Sequence, residues 1–278
     1  MSNTVLEPMN QIGYGLYKYF KKRLADLLNT ILKAGQVLSL FDREHDEWRV
    51  SDAAQALGMA KSSTHDLMSS MAHIGLLSQT EQGRYRLGWK IVELSETLLA
   101  TTELRTIARP VMDEMIHAHQ ETLHLAILQK GKVVYLDKLE GMQTVRVELT
   151  GLGTHLYPHC TGVGKVLLAH LPWACVEDII EKQGLPGFTE MTITDADRLK
   201  EELAQVRKRG YAYDLGEIIS DLRCVAAPIR DFQGRVIAAI SMSVPAYRFE
   251  RSEQHFRNAI VRSGQLISRH LGYVTQTC

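Results

Sequence analysis

Val50-Ser51-Asp52-Ala53-Ala54-Gln55-Ala56-Leu57-Gly58-Met59-Ala60-Lys61-Ser62-Ser63-Thr64-His65 is the stretch from which the rest of the chain is read. Ser51 has the chemistry of an N-cap, since its hydroxyl can accept a free backbone N–H of the first helical turn. Ala53, Ala54 and Leu57 line that helix, and Gly58 stands where a left-handed residue ends it. Ser62-Ser63-Thr64 then starts a second helix. Its inner face is Leu67, Met68, Met71 and Ile74, at helical spacing, and Gly75 ends it. Leu76-Leu77-Ser78 and Tyr85-Arg86-Leu87 flank Gln79-Thr80-Glu81-Gln82-Gly83-Arg84, a small hairpin with Gly in its turn. Short helix, turn, second helix, hairpin is the order of a winged helix-turn-helix.

In that arrangement the second helix lies in a DNA major groove with its N-terminal side chains toward the base edges. Here these are Lys61, Ser62, Ser63, Thr64 and His65, a cation with short donors and acceptors suited to phosphates and bases. Arg84 and Arg86 on the hairpin are placed for the adjacent backbone or minor groove. Residues 1–88 hold ten Lys and Arg against nine Asp and Glu, so the cations must segregate on one face. The spacing alone also fits a helical interaction module that never touches nucleic acid.

Outward on the N-terminal side, Leu24, Leu27, Leu28, Ile31 and Leu32 form one face of a helix within residues 24–43, with Gly35 kinking or bounding it. Residues 11–23 mix Tyr14, Tyr17, Tyr19 and Phe20 with Lys18, Lys21, Lys22 and Arg23. They read as an arm touching a partner or DNA, or as an amphipathic leader packed on the first domain. On the other side, Trp89–Leu99 is an amphipathic linker helix, and a second helix runs from about Leu104 to His119.

The whole chain has 278 residues and no formal net charge, with 32 basic and 32 acidic side chains. A strongly cationic, nucleic-acid-coating protein is excluded, and two domains are the natural division. The four cysteines, Cys160, Cys175, Cys224 and Cys278, include no Cys-x-x-Cys pair, which fits a reducing compartment. Residues 1–10 show no secretory pattern, and no apolar run approaches the roughly 18–20 residues that span a bilayer. The expected location is the cytoplasm, with no membrane partner and no cofactor.

From Thr122 onward the pattern changes. Thr122–Gln129, Val133–Leu139 and Thr144–Leu149 are β-rich, and Gly164–Leu171, Val176–Lys182 and Asp195–Arg209 are helical. Tyr211–Asp214, Cys224–Ile229 and Val236–Val244 are strands, and Ser252–Leu271 is a closing helix. The spacing predicts an antiparallel sheet with helices packed against it, and an α+β fold for the chain. Gly162-Val163-Gly164 precedes a helix, where free backbone N–H groups attract anions. On the last strand Ala239, Ser241 and Ser243 share one face, while Ala238, Ile240, Met242 and Val244 share the other. The first face suits either a polar pocket or a partly exposed surface.

A cysteine-dependent hydrolase would use Cys160 or Cys224 with His155 or His159 as base. The Val/Ala-rich surroundings of Cys224 favour inert packing instead. His155 and His159 could be drawn as a metal pair, but Pro158 between them breaks the helix that would align them. No catalytic residue and no metal ligand are therefore expected. A third class, a DNA-independent ligand sensor acting through protein contacts, fits the same domain order.

The helix-turn-helix stretch, with Gly83-Arg84-Tyr85-Arg86-Leu87-Gly88 as wing and exit, resembles the IclR-type transcriptional regulators. So do Cys160-Thr161-Gly162-Val163-Gly164-Lys165-Val166-Leu167-Leu168-Ala169 and Arg223-Cys224-Val225-Ala226-Ala227-Pro228-Ile229 further on. The resemblance covers roughly residues 28–272, with residues 1–27 longer than the family's usual leader. It implies an extension at 1–27, a winged helix-turn-helix at 28–88, a linker helix at 89–104 and a GAF-like antiparallel-sheet effector domain at 105–275. Operator DNA would be bound by a homodimer or homotetramer, since two half-sites need two reading heads. A small carboxylate effector, aliphatic or aromatic, would be lined by Gly162, Val163, Asp214, Cys224, Ser241 and Ser243, with Val145, Val147, Leu149 and Leu152 at its apolar end. Asp214 would accept a hydroxyl or share a proton, and Cys224 would be a small soft wall. Asp66 stands where members of the family often have Arg, which implies an altered operator preference.

Overall fold

The computed structural model describes residues 29–42, 44–142 and 155–274. The aromatic and basic stretch at 11–23, Leu24, Leu27 and Leu28, and the strand expected at Thr144–Leu149 lie outside them, as do Val145, Val147, Leu149 and Leu152. The chain divides into two compact units, the first through Leu98 and the second from Leu99.

The first unit contains α1 (Asn29–Leu38), β1 (Glu47–Trp48), α2 (Val50–Leu57), α3 (Lys61–His73), β2 (Leu77–Gln79) and β3 (Tyr85–Leu87), followed by α4 (Lys90–Ala100). Its antiparallel sheet has the order β1-β3-β2, with Trp48 opposite Tyr85 and Leu77 opposite Leu87. Glu47–Trp48 is the third strand of the wing. The core is Val37, Ala53, Met68, Met71, Leu77 and Tyr85. Gly58 ends α2 at φ 62°, the left-handed geometry its position requires.

Three local expectations are corrected. α2 starts at Val50 with Arg49 as N-cap, and the Ser51 hydroxyl donates to the Asp52 carboxylate at 2.9 Å instead of capping. The inner stripe of α3 is Thr64, Met68 and Met71, so Ile74 is left 60% exposed. Ile31 and Leu32 of α1 are exposed as well, because the helix packs through Val37, Ala34 and Leu38.

The second unit is a six-stranded antiparallel sheet in the order β6-β5-β4-β9-β8-β7. Its strands are β4 (Thr122–Gln129), β5 (Lys132–Leu139), β6 (His155–Leu156), β7 (Ala212–Asp214), β8 (Leu222–Arg230) and β9 (Val236–Pro245). Its helices are α5 (Glu103–His119), α6 (Gly162–Ala169), α7 (Trp173–Gln183), α8 (Ala196–Arg209) and α9 (Ala246–His270). On one face Ala238, Ile240, Met242 and Val244 of β9 pack with Val111 and Met112 of α5 and Ile260 and Ile267 of α9. On the other, Ala126, Ala226 and Ala239 pack with Val166 of α6, Val176 of α7 and Leu199 of α8. The period-two alternation of β9 therefore divides two cores. Ser252, expected to begin the closing helix, is a kink inside α9 at φ −142°. Among the described residues no helix is long and apolar enough to cross a membrane.

α6 begins at Gly162, two residues before the expected start, after a 3-10 turn at Pro158–Cys160. The Thr161 hydroxyl caps it by accepting the Gly164 N–H at 3.0 Å. A Cβ at Gly164 would lie 2.3 Å from the Pro158 carbonyl oxygen and 2.4 Å from its Cα, both backbone atoms that cannot turn aside. Gly164→Ala is expected to destabilise the protein by about 3 kcal/mol through overpacking. Gly35→Ala, where a Cβ meets nothing within 4 Å, is expected to stabilise by about 0.5–1 kcal/mol through helix propensity. Denaturant midpoints of the two variants check both signs.

Candidate functional sites

In the first unit the opening turn of α3 presents Lys61, Ser62, Ser63 and His65 to solvent. Thr64, expected beside them, is buried, with its hydroxyl donating to the Ala60 carbonyl at 3.1 Å. The helical period assigns position 64 to the same stripe as Met68 and Met71, so it faces the core and not a duplex. The His65 ring lies 3.3 Å from the exposed Asp66 carboxylate. On the β2–β3 hairpin Arg86 is exposed, with Nε donating to the Ser78 hydroxyl at 3.2 Å, and Arg84 is half-buried.

In the second unit a cavity of about 30 Å³ lies at the start of α6. Gly162, Val163, Asp214, Cys224, Ser241 and Ser243 all line it. Four elements supply them: the first turn of α6, the end of β7, and neighbouring positions on β8 and β9. Asp214 is opposite Cys224, and Cys224 is opposite Ser243. Ser243 and Cys224 are within hydrogen-bond distance, Oγ to Sγ, at 3.1 Å. Gly162 and Val163 are the first two helical residues, so their N–H groups have no acceptor within α6.

The lining also includes Thr161, Tyr135, Ile218, Ile219 and Leu222, which the sequence reading misses. Thr161 carries a legible signal, a hydroxyl just before a Gly-rich helix start. Ile218 and Ile219 follow Asp214 in a bend stretch with no periodicity. The two sheet-facing approaches depend on small side chains, since a Cβ at Gly162 would already touch the Ala226 Cβ at 3.3 Å.

Asp214 is the acidic residue in the cavity lining. Asp214 Oδ1 accepts the N–H groups of Gly216 at 3.1 Å and Glu217 at 2.7 Å. Burial pushes its carboxyl above the ordinary value, and those bonds pull the other way. Glu217, in contact with the buried Lys165 ammonium, is pushed up to about 7 by burial. The Cys224 thiol is pushed up by burial and by the neighbouring Asp214, and Cys160 is pushed up to about 12 by burial. Cys160 donates to the Tyr157 carbonyl, while His159 Nε2 lies 3.0 Å from the Pro186 carbonyl oxygen. Neither thiol is activated, and His159 is engaged elsewhere. This geometry offers hydrogen-bonding groups around a cavity and no nucleophile.

A family model described as the bacterial transcriptional regulator IclR C-terminal domain matches residues 96–269, and the IclR helix-turn-helix domain matches residues 30–81. The chain belongs to the IclR family of transcriptional regulators. The HTH-type transcriptional regulator XynR of Escherichia coli is 33% identical over 249 residues, covering 89% of this chain and 98% of its own. The IclR structure from Thermotoga maritima is 30% identical, with a TM-score of 0.68 over 88% of this chain and 99% of its own. An IclR homologue from Microbacterium hydrocarbonoxydans, complexed with 4-hydroxybenzoate, is 26% identical, with a TM-score of 0.76 over 87% and 99%.

The IclR-family chain is thus a DNA-binding transcriptional regulator and not an enzyme. Its fold is the expected winged helix-turn-helix followed by an α+β domain. Among the described residues no three His, Cys, Asp or Glu side chains could hold a metal ion.

The Lys165–Glu217 pair gives a stability test. Above about pH 7, where Glu217 is ionised, Glu217→Gln leaves the Lys165 charge buried without a counter-charge, an expected loss of about 3–5 kcal/mol. Replacing both (Lys165→Met with Glu217→Leu) is expected to restore stability to within about 1–2 kcal/mol of the wild type. Between 4.5, the ordinary value, and about 7, folded Glu217 holds a proton that the unfolded chain has released. Its contribution is therefore full below about pH 4.5 and is lost as pH rises through about 7. Urea unfolding from pH 4.5 to 8 should show this slope in the wild type and not in the double variant.

Proposed function

We propose that this IclR-family regulator binds operator DNA as a dimer or tetramer in the cytoplasm, and that a small organic acid bound in its second unit controls that binding. The single observation carrying the effector reading is the meeting of two unpaired helix-start N–H groups, at Gly162 and Val163, with Ser241, Ser243 and Cys224 in one cavity. A helix N-terminus and hydroxyl donors are the equipment for a carboxylate. The 4-hydroxybenzoate in the Microbacterium homologue supports an aromatic acid among the candidates. The cavity holds only one or two waters at its present size. A carboxylate therefore has to displace the wall formed by Ile218, Ile219 and Leu222. Ligand affinity and wall position are coupled by that displacement, and only the difference in ligand affinity between two wall states can reach the DNA-binding unit.

Lys61, Ser62, Ser63, His65, Arg84 and Arg86 would contact DNA, with Thr64 left out because it is buried. The apolar side chains of α4 support self-association, since Leu94 and Leu98 are exposed next to a Trp89 that is 80% exposed. Pairing with the same helix of a second subunit would cover them and supply the two reading heads.

Two measurements test this reading. In a thermal-shift screen of organic acids, a ligand at a hundred times its Kd should stabilise by about 2.7 kcal/mol. Ser241→Ala and Asp214→Ala should reduce that shift. A hit indifferent to both moves the site elsewhere. In mobility-shift assays on the chain's own upstream region, alanine at Ser62, Ser63 and His65 should abolish operator selection. A DNA-independent sensor would bind no fragment at all. Asp66→Arg should raise affinity for DNA in general and steepen the log K against log salt slope by about one.

A further inference from the structure

His124 on β4 is 1% exposed, and neither of its ring nitrogens has a hydrogen-bond partner. A buried imidazole in that state gives up its bonds to water without return. Its surroundings give a reason. His124 is opposite Ser241 in the β4–β9 register. Its ring lies against that of Tyr135, with centroids 4.7 Å apart and planes 35° from parallel. Ser241 and Tyr135 both line the cavity. Neither hydroxyl makes a hydrogen bond to any described residue.

Tyr135 arrives there through a bulge. Leu125 is opposite Asp137, but the next residue, Ala126, is opposite Tyr135, so Leu136 is the extra residue. Asp137 is thereby turned to Arg105 and Arg109 of α5, while Tyr135 is turned to the α6 side. In a regular strand the two would share a face.

We propose that His124, Tyr135 and Ser241 form a hydroxyl-selecting subsite of the effector cavity, so that the ligand is a hydroxylated carboxylic acid. This deepens the carboxylate reading above and rests on it. The chemistry of the three groups selects the class. Burial, with Lys138 nearby, pulls the His124 ring down to about 3, so it stays neutral with one donor and one acceptor. Tyr and Ser hydroxyls also both donate and accept. A second carboxylate only accepts, and the nearby Lys138 ammonium is already paired with Glu140 at 2.7 Å. A hydrocarbon end would leave all three groups unused. A ligand hydroxyl donates once and accepts, and so matches them.

The test is calorimetric titration of the full chain with matched acids: benzoate against 2-, 3- and 4-hydroxybenzoate, and butyrate against 3-hydroxybutyrate. At least one hydroxylated acid should bind ten or more times more tightly than its parent. Tyr135→Phe and His124→Phe should each reduce that preference at least fivefold. His124→Phe replaces an unpaired polar ring with hydrocarbon, so its melting temperature should equal or exceed that of the wild type. If that variant does not fold, Tyr135→Phe, which removes a single oxygen, decides the matter. Equal affinities for hydroxylated and parent acids, or a preference that survives both substitutions, overturn the subsite and leave the carboxylate reading standing. Binding of none of these acids overturns both.

Discussion

The approach of α6 to the turn before it is closer than a side chain allows, and its approach to the sheet is tight. Gly164 lies against the backbone of Pro158, and Gly162 lies against Ala226 and the N–H of Asp214. Much of the second unit follows from that contact. It brings the helix start over β7 and β8, and the partial positive charge of the start falls on the cavity. The Thr161 cap takes the Gly164 N–H and leaves the two before it. It also carries Lys165, one residue further on, into the interior, where Glu217 meets it. A bulkier residue at Gly164 would move the donors, the lysine and the cavity together.

The wall of the cavity is fastened from behind. Asp214 holds the N–H groups of Gly216 and Glu217, while Thr189 and Thr192 donate to the carbonyl oxygens of the same two residues at 2.7 and 2.6 Å. The segment between β7 and β8 is thus pinned at its start, and Ile218 and Ile219 ride on it. Any ligand that moves these two isoleucines pulls on the loop containing Thr189 and Thr192. That loop is tied in turn to His159, beside Pro186, just before α6. These bonds link the turn before α6, the loop with Thr189 and Thr192 and the segment after β7 in one series.

The elements with strong periodicity were legible in the sequence. β9 separated its two faces, α3 and the wing were in order, and the Gly-rich start of α6 was recognised. What escaped depends on partners distant in the chain. Thr64 carries a polar hydroxyl that reads as a contact, yet the helix period puts it in the core and its own backbone satisfies it. Ser51 looks like a cap, but the first turn begins one residue earlier. Tyr135 is hidden by a bulge, since one extra residue reverses every face assignment beyond it. Glu217 gives no signal in the sequence, because nothing near it reveals that Lys165 lies beside it.

The same physics bears on how the first unit would discriminate among DNA sequences. Residues 1–88 carry a balance of only one positive charge, and Asp66 lies exposed beside His65 on the candidate reading helix. Affinity from phosphate neutralisation scales with the number of cations engaged. With few cations, non-specific binding is weak, and more of the total free energy must come from base contacts. Ser62, Ser63 and His65 are short, so they reach base edges only when the helix is seated deep in the groove. In the proposed dimer, deep seating in two adjacent grooves would require the correct separation of two heads, the quantity that the proposed linker α4 would set. Low charge therefore makes binding more sensitive to geometry, which is the condition under which a ligand elsewhere in the chain can have a large effect.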